Sequence, residues 1–272
     1  MVNEAGNGNA KTKESVLKEV REKYLPPFPI NIEAAIGKIE ANWSGRESRS
    51  TQNWRLLHVP LKNGSDYKER DWRTSEVLME RMICDACRKQ NLSVWNQMPG
   101  ASGLLPLPPK RDDGKRRVAS EGRRAIDLVY RPAGAEEIYE FLELKIRRKD
   151  GTADSLHHAT LEVLEYGLLY LFSRKNQVKL GYAKSPEKKQ RYAVLDASEI
   201  RLRVLAAEDY YTSHDHGDVS VENINKALEA YIANNHTSFG NLKMNFGFQV
   251  LGPAVKPHEA FIGKSEWQVG KV

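Results

Sequence analysis

Cysteine is scarce in this 272-residue chain, which contains only Cys84 and Cys87. Two cysteines three positions apart, in a segment with helical periodicity, cannot form the disulfide framework of a small secreted domain. No second pair of ligands follows at zinc-site spacing, so we interpret both as half-buried helix thiols. This usage predicts a reducing, cytoplasmic setting inside the cell.

Long hydrophobic runs are also lacking, since no apolar stretch reaches the roughly 18 residues that a membrane-spanning helix needs. Residues 1–13 are polar and contain no hydrophobic segment typical of a signal peptide. We therefore expect neither secretion nor a membrane partner. The chain nevertheless has 5 Trp, 11 Tyr and 7 Phe, which excludes the class of disordered polar proteins.

Positive charge is in modest excess, with 42 Lys and Arg against 36 Asp and Glu, and it is unevenly placed. Clustered basic residues would supply salt-sensitive affinity for nucleic acid, whereas the alternative is a solvated surface. No helix-turn-helix, zinc finger or RNP motif specifies bases. The candidate nucleic-acid-binding residues are Lys115, Arg116, Arg117, Arg123, Arg124, Arg147 and Arg148.

Hydrophobic periodicity predicts an α/β fold with a central mixed sheet flanked by helices. We divide the chain into an N-terminal helical extension with loops at 1–70, a core at 71–210, and a C-terminal helix and strand at 211–272 packed on the core. The expected helices are 14–24, 32–42, one starting at Thr74 or Ser75, 156–172 and 220–234. The expected strands are 92–97, 125–130, 138–146, 178–183, 191–196, 200–206 and 242–250, with a short strand near 56–59.

A group of charged residues lies inside two of these apolar strands: Asp127 in the first, Glu143 and Lys145 in the second. Charges there are costly unless they pair or bind a metal. Three other acid-x-Lys matches occur in polar, loop-like stretches. Side chains at i and i+2 of a strand share a face, so Glu143 and Lys145 project together. A hairpin turning about Gly134 would place Asp127 opposite Phe141 and diagonal to Glu143.

Two carboxylates and an ammonium would then converge, a set that suits Mg²⁺ bound together with substrate phosphate. The metal would lower the pKa of a bound water, and Lys145 would position the water or stabilise the transition state. The alternative is a structural salt bridge of Lys145 with Asp127 or Glu143.

The run Ala-Ile-Asp-Leu-Val around Asp127 and the run Phe-Leu-Glu-Leu-Lys-Ile around Glu143 and Lys145 resemble the PD-(D/E)XK nuclease superfamily over about residues 74–172. The resemblance implies a restriction-endonuclease-like fold and an Mg²⁺- or Mn²⁺-dependent deoxyribonuclease. It also implies that the backbone carbonyl of Leu144 is a further metal ligand. The proline of the family motif is replaced by Ile126.

The resemblance further implies a glutamate from the helix that precedes these strands. Glu76 and Glu80 share one stripe of that helix, and we favour Glu80 because it lies mid-helix; the alternative is that both are solvated helix glutamates. On the following helix, the spacing of His158, Glu162, Glu165 and Tyr166 predicts one polar stripe. Glu162 and Tyr166 are candidates for supporting positions around the metal, with Glu76; the alternative is that the stripe is a solvated face.

We therefore expect a divalent-metal-dependent endonuclease that hydrolyses DNA phosphodiester bonds, of the restriction or repair type, with RNA not excluded and a homodimer left open. The alternative is a non-catalytic nucleic-acid-binding or assembly protein on the same fold. The segment His214-Asp215-His216 could chelate a metal, but its glycine and serine neighbours also fit a loop.

Overall fold

A computed structural model describes residues 16–27, 29–43, 53–60, 75–100, 125–147, 154–182, 192–212 and 219–251 of the chain. It is an α/β structure in which helices flank a five-stranded mixed sheet. The strands are β1 (Ser93–Pro99), β2 (Ala125–Arg131), β3 (Ile138–Lys145), β4 (Glu199–Ala207) and β5 (Lys243–Leu251).

The strands lie side by side in chain order. The pairs β1–β2 and β2–β3 are antiparallel, whereas β3–β4 and β4–β5 are parallel. The parallel pairs require crossover connections, and helices provide them.

The helices are α1 (Val16–Tyr24), α2 (Ile32–Trp43), α3 (Glu76–Lys89), α4 (Leu156–Lys175), α5 (Gln177–Leu180), α6 (Glu208–Thr212), α7 (Val221–Asn234) and α8 (His236–Phe239), with a 3-10 turn at Ala193–Asp196. Helix α3 begins where Ser75 accepts a hydrogen bond from the backbone N–H of Leu78, and α4 begins where Ser155 caps His158 in the same way. Within the described ranges, no helix has the length and apolar character needed to cross a membrane.

The two faces of the sheet are covered differently. Helix α3 packs on β1 and β2 from one side, through Met79, Ile83 and the two buried cysteines. Helices α4 and α7 cover the other side, and α2 packs on these two helices. Helix α4 is buried almost all round, and Gly167 brings it close to β4, because a Cβ there would lie 2.6 Å from Leu202 Cδ1.

The β2–β3 hairpin forms as predicted, with Gly134 in the left-handed conformation (φ 73°) at its turn. Its register differs from the prediction by two residues: Val129, not Asp127, lies opposite Phe141, and Leu128 lies opposite Leu142. The hairpin is centred on Ala135 rather than on Gly134, and the backbone N–H of Ile138 donates a hydrogen bond to the carbonyl oxygen of Ala135 within the turn. Asp127 therefore falls level with Glu143 itself.

Two predicted strands are wrong. Residues 177–180 form α5, which ends at Gly181 in the left-handed conformation (φ 76°), and residues 193–196 form the 3-10 turn. Both segments are only four residues long, Gln-Val-Lys-Leu and Ala-Val-Leu-Asp, and a pattern this short cannot separate a strand from a single helical turn. The described residues 53–60 also contain no strand, although Leu57 O accepts a hydrogen bond from the Asn96 N–H of β1. The other predicted helices and strands are confirmed to within three residues of their bounds.

Candidate active site

Asp127 lies where β2 and β3 separate. The ladder between these strands covers only residues 128–130 and 140–142, although β3 continues to pair with β4 as far as Lys145. In the gap, the Leu144 backbone N–H donates a 3.0 Å hydrogen bond to Asp127 Oδ2. The carboxylate thus replaces the strand partner that Leu144 lacks.

Glu143 and Lys145 project from β3 toward α4. Lys145 Nζ donates a 2.7 Å hydrogen bond to Glu143 Oε1 and a 2.9 Å hydrogen bond to Glu162 Oε2 on α4. Only 3% of the lysine side chain is exposed. The ammonium therefore holds one strand carboxylate and one helix carboxylate at the same point.

Tyr166, one turn after Glu162, closes the gap between the strands from the α4 side. Its hydroxyl lies 2.7 Å from Glu143 Oε2 and 3.1 Å from the carbonyl oxygen of Ala125 on β2. The hydroxyl has one hydrogen, so it donates to one of these acceptors at a time. Tyr166 thereby connects the two strands across the gap.

Glu80 approaches from α3 and is 1% exposed. Both of its oxygens accept from Gln97 Nε2 on β1, at 2.6 and 2.7 Å. The negative charge of Glu80 contributes to the raised pKa of Asp127, and the negative charge of Glu143 contributes to the raised pKa of Glu80. Of the two helix glutamates, Glu80 is the one that faces the strand carboxylates.

The rim of the site is acidic. Glu76 Oε2 lies 4.0 Å and Asp154 Oδ2 3.7 Å from Lys145 Nζ. His158 Nε2 lies 3.5 Å from Glu162 Oε1, and both Asp154 and His158 are close to half exposed. Solvent therefore reaches the group through the start of α4.

Three of the four residues in the predicted α4 stripe, Glu162, Glu165 and Tyr166, face the protein, whereas His158 is close to half exposed. Glu162 is held by Lys145, and Glu165 is fully buried in a two-point ion pair with Arg21 of α1. The interpretation of this stripe as a solvated face is wrong for Glu162, Glu165 and Tyr166, because α1 and β3 cover it.

Burial dominates the acid–base properties of the three central carboxyls. It raises the pKa of Asp127 well above its usual value, with repulsion from Glu143 and Glu80 adding to the effect. Burial likewise raises the pKa of Glu80 to about 8 and that of Glu143 to about 7. Burial thus makes the charged form of each carboxyl unfavourable, and the charges of Glu143 and Glu80 add to this effect at Asp127.

Lys145 and Glu162 behave in the opposite way. Burial alone would lower the pKa of Lys145, but the charges of Glu143, Glu162 and Glu76 outweigh it and leave that pKa above its ordinary value. Burial would raise the pKa of Glu162, but hydrogen bonds from His158 and Lys145 and the lysine charge bring it below its usual range. Both groups are therefore charged at neutral pH.

Among the described residues, no set of three or more His, Cys, Asp or Glu side chains converges closely enough to hold a metal ion as the side chains stand. Leu144, Gln97 and Lys145 each hold one of the central carboxylates instead. The donor chemistry nevertheless suits Mg²⁺ or Mn²⁺, which prefer carboxylate oxygens. A divalent cation would also offset the negative charges of Glu143 and Glu80, which add to burial in raising the pKa of Asp127.

The predicted nucleic-acid-binding residues Lys115, Arg116, Arg117, Arg123, Arg124 and Arg148 lie outside the described residues, as does His214-Asp215-His216. Arg147 is described, and it is exposed just past the end of β3, two residues after Lys145. It is therefore available to a ligand at the mouth of the site.

Cys84 and Cys87 are both fully buried on α3 and unbonded to each other. Burial raises the pKa of the Cys84 thiol to about 12, and its sulfur lies 3.5 Å from the carbonyl oxygen of Val94. These thiols are more deeply buried than the half-buried state that we predicted.

Two contacts of this site have no signal in the sequence. In the sequence, Gln97 ends the predicted strand 92–97, and Asp154 lies just before the predicted helix 156–172 as a possible cap. A glutamine near Pro99 and an aspartate before a helix are common in proteins without a site. Only the folded arrangement connects them to Glu80 and Lys145.

Comparisons of the chain with protein-family models, with curated proteins and with solved structures give no match.

Proposed function

We propose that this protein is an Mg²⁺- or Mn²⁺-dependent endonuclease that hydrolyses DNA phosphodiester bonds. One observation carries the proposal: the Asp127 carboxylate lies in the gap between β2 and β3, bonded to the N–H between Glu143 and Lys145. This places the acid of one strand beside the acid and the lysine of the next. A salt bridge needs only one acid for one lysine, whereas here several acids surround one.

The arrangement of elements supports a restriction-endonuclease-like fold for this proposal. A helix carrying Glu80 precedes three antiparallel strands, and the third strand carries Glu143 and Lys145. That strand leads through α4 into a parallel partner. The sequence resemblance implies the same order of elements around the same charged residues.

In the proposed reaction, the oxygen of a water molecule forms a bond to phosphorus, and one P–O ester bond breaks. Asp127, Glu143 and Glu80 would hold the cation, together with the carbonyl of Leu144. The bound cation supplies charge neutralisation at the phosphate and a lowered pKa for water.

The chain's own residues prepare that reaction. Lys145 is protonated at neutral pH, so its ammonium donates hydrogen bonds and stabilises negative charge rather than accepting a proton. Glu162 fixes the ammonium from α4 at 2.9 Å. Tyr166 holds Glu143 Oε2 at 2.7 Å and so keeps this carboxylate oriented.

DNA is the proposed substrate because basic residues flank the site in sequence on both sides, in the run 110–124 and at 147–149. The rim formed by Glu76 and Asp154 is acidic, so phosphate affinity must come from these flanking residues. Arg147 is the described member of that set and is exposed.

A cleavage assay tests the proposal. The purified full chain is incubated with plasmid, linear and branched DNA and with RNA, each with Mg²⁺, Mn²⁺ or EDTA. We expect cleavage of DNA with either metal and none with EDTA. Asp127→Asn should be inactive, and the exposed control Asp196→Asn active. Equal cleavage by wild type and Asp127→Asn would reject the assignment of the site.

A second candidate function is a non-catalytic nucleic-acid-binding module, which the direct Lys145–Glu143 ion pair favours. If this pair is purely structural, Lys145→Met leaves buried unpaired charge and should cost about 3–5 kcal/mol of folding free energy, with no rescue by Mg²⁺. If the carboxylates form a metal site, added Mg²⁺ should raise the melting temperature of this variant by mass action. In that second case, cleavage by Lys145→Met should still fall by orders of magnitude. The exposed control Lys226→Met should behave as wild type.

A further inference from the structure

Gln97 has an unusual backbone for a strand residue. Its φ is 55°, and it is one of three non-glycine residues with positive φ in the part of the chain that the structure describes. The other two, Trp54 and Asn91, lie outside the strands. Residues other than glycine rarely adopt this backbone conformation, so the surrounding contacts must maintain it.

Beyond Gln97, the even-numbered side chains of β1 lie on the opposite face of the sheet from those before it. Val94 belongs to the core under α3, whereas Met98, four residues later, belongs to the core under α4. In a regular strand, residues an even number apart share one face. Their cross-strand partners follow the same change, because Tyr130 belongs to the α3 core and Ile126 to the α4 core.

This change of face explains the direction of the Gln97 side chain. Regular alternation would place Gln97 on the same side as Trp95, which packs against the α4 core. Instead the Gln97 carboxamide contacts Glu80 on α3, at 2.6 and 2.7 Å from its two oxygens. On β1 and β2, Asn96 pairs with Leu128 and Met98 pairs with Ile126, so Gln97 lies opposite Asp127.

We propose that Gln97 is a positioning residue of the metal centre: its left-handed backbone turns the carboxamide toward α3, where it holds the Glu80 carboxylate level with Asp127. The inference rests on the proposed function, because Glu80 is a metal ligand only there. A side chain that orients a ligand in this way typically accounts for about 10–100-fold in metal affinity.

Two substitutions separate this role from a backbone role. Gln97→Met keeps the length of the side chain and the strain of the backbone but removes the N–H donor. Gln97→Gly removes the side chain and relaxes the backbone, because glycine adopts positive φ freely. If only the backbone conformation matters, Gln97→Gly binds Mn²⁺ as wild type does. If the carboxamide positions Glu80, both variants bind Mn²⁺ about 10–100-fold more weakly.

The experiment measures Mn²⁺ affinity of the full chain by electron paramagnetic resonance, without DNA. Each Gln97 variant is made alone and combined with Glu80→Gln, and Gln90→Met, exposed at the end of α3, is the matched control. We expect the Gln97 substitutions to have no further effect in the Glu80→Gln background, because Gln97 acts through Glu80. Melting temperatures in EDTA show that every variant is folded.

The outcomes separate this inference from the proposed function. Wild-type Mn²⁺ affinity in Gln97→Gly, or additive losses in the double variants, overturns the positioning role alone. A wild-type chain that binds Mn²⁺ but cleaves no DNA overturns the nuclease proposal, while non-additive losses still support the role of Gln97. A wild-type chain that binds no Mn²⁺ overturns both.

Discussion

The backbone N–H of Leu144 donates a hydrogen bond to the Asp127 side chain across the point where β2 and β3 stop pairing. A carboxylate thereby occupies the place of a main-chain carbonyl. In an antiparallel pair, the N–H and the C=O of one residue point toward the same neighbouring strand. Leu144 can therefore hold the Asp127 carboxylate through its N–H and also present its own carbonyl oxygen to the gap between β2 and β3.

Asp127→Asn should stabilise the metal-free protein at neutral pH. The amide oxygen can still accept from Leu144, while the burial and the charges of Glu143 and Glu80 that disfavour an ionised Asp127 no longer penalise a neutral side chain. A gain of about 1 kcal/mol would raise the melting temperature by roughly 2–4 °C in a chain of this size. Mn²⁺, which should raise the melting temperature of the wild type, should leave that of the variant unchanged. A variant less stable than wild type in EDTA, or one that responds fully to Mn²⁺, would contradict this prediction.

The metal-free protein should lose stability as the pH rises from about 5 to 8. The folded-state pKa values of Glu80 and Glu143 are about 8 and about 7, above those of the unfolded chain. Such groups stabilise the fold fully below their unfolded pKa, and that contribution is lost as pH rises through the folded pKa. Urea unfolding in EDTA across this range measures the effect.

Glu80→Gln is the control for the pH dependence. His157, whose pKa burial lowers, acts in the opposite sense over part of the same range, so the total slope alone is not decisive. Because the variant lacks the titrating carboxyl, its stability should decline less than that of wild type. Identical slopes for the two proteins would show that Glu80 is not protonated in the metal-free fold.

Tyr166→Phe should weaken both folding and metal binding, because Glu143 and Ala125 lose their shared donor. Leaving a buried acceptor unpaired costs about 1–3 kcal/mol. Tyr170→Phe, one turn later on α4, removes an equally buried hydroxyl that donates to Val194 O and is the matched control. Calorimetry should find a similar loss of stability in both variants but weaker Mn²⁺ binding only in Tyr166→Phe. Equal Mn²⁺ affinities would limit Tyr166 to a structural role.

DNA affinity should fall steeply with salt. Charge reversal at Arg116 and Arg117, which lie outside the described residues, should flatten the slope of log affinity against log salt by roughly one unit for each phosphate that is no longer neutralised. Reversal of Arg88 and Lys89, exposed at the end of α3, serves as the control and should leave the slope unchanged. Fluorescence anisotropy in EDTA measures both without cleavage. An affinity independent of salt would remove DNA from the proposal.

The charged group of the candidate site is predictable from sequence because charge is conspicuous inside an apolar strand. Glu143 and Lys145 had to share a face, and the hairpin brought Asp127 to them even though the predicted register was wrong by two residues. The length of the turn, not the strand pattern, sets that register. The mid-helix place of Glu80 on α3 favours it over Glu76, and the structure directs it toward Asp127 and Glu143.

The remaining contacts depend on residues far apart in the chain. Glu165 resembles a solvated glutamate in sequence because its partner, Arg21, precedes it by 144 residues. The left-handed backbone of Gln97 arises where two strands and α3 meet, and nothing in its neighbours specifies it. Residues 177–180 form one helical turn that ends at the left-handed Gly181, although the alternation of Val178 and Leu180 with polar residues also fits a strand.

The most direct measurement of the central claim is the single-turnover rate of plasmid cleavage by wild type and by Asp127→Asn, at protein concentrations that saturate the DNA in both cases. Saturation removes any difference in binding, so the rates compare the chemical step alone. We predict cleavage by wild type with Mg²⁺ or Mn²⁺, none with EDTA, and a rate at least about 10²–10³-fold lower in Asp127→Asn. No cleavage by wild type with either metal, or the same rate in both proteins, would contradict the account.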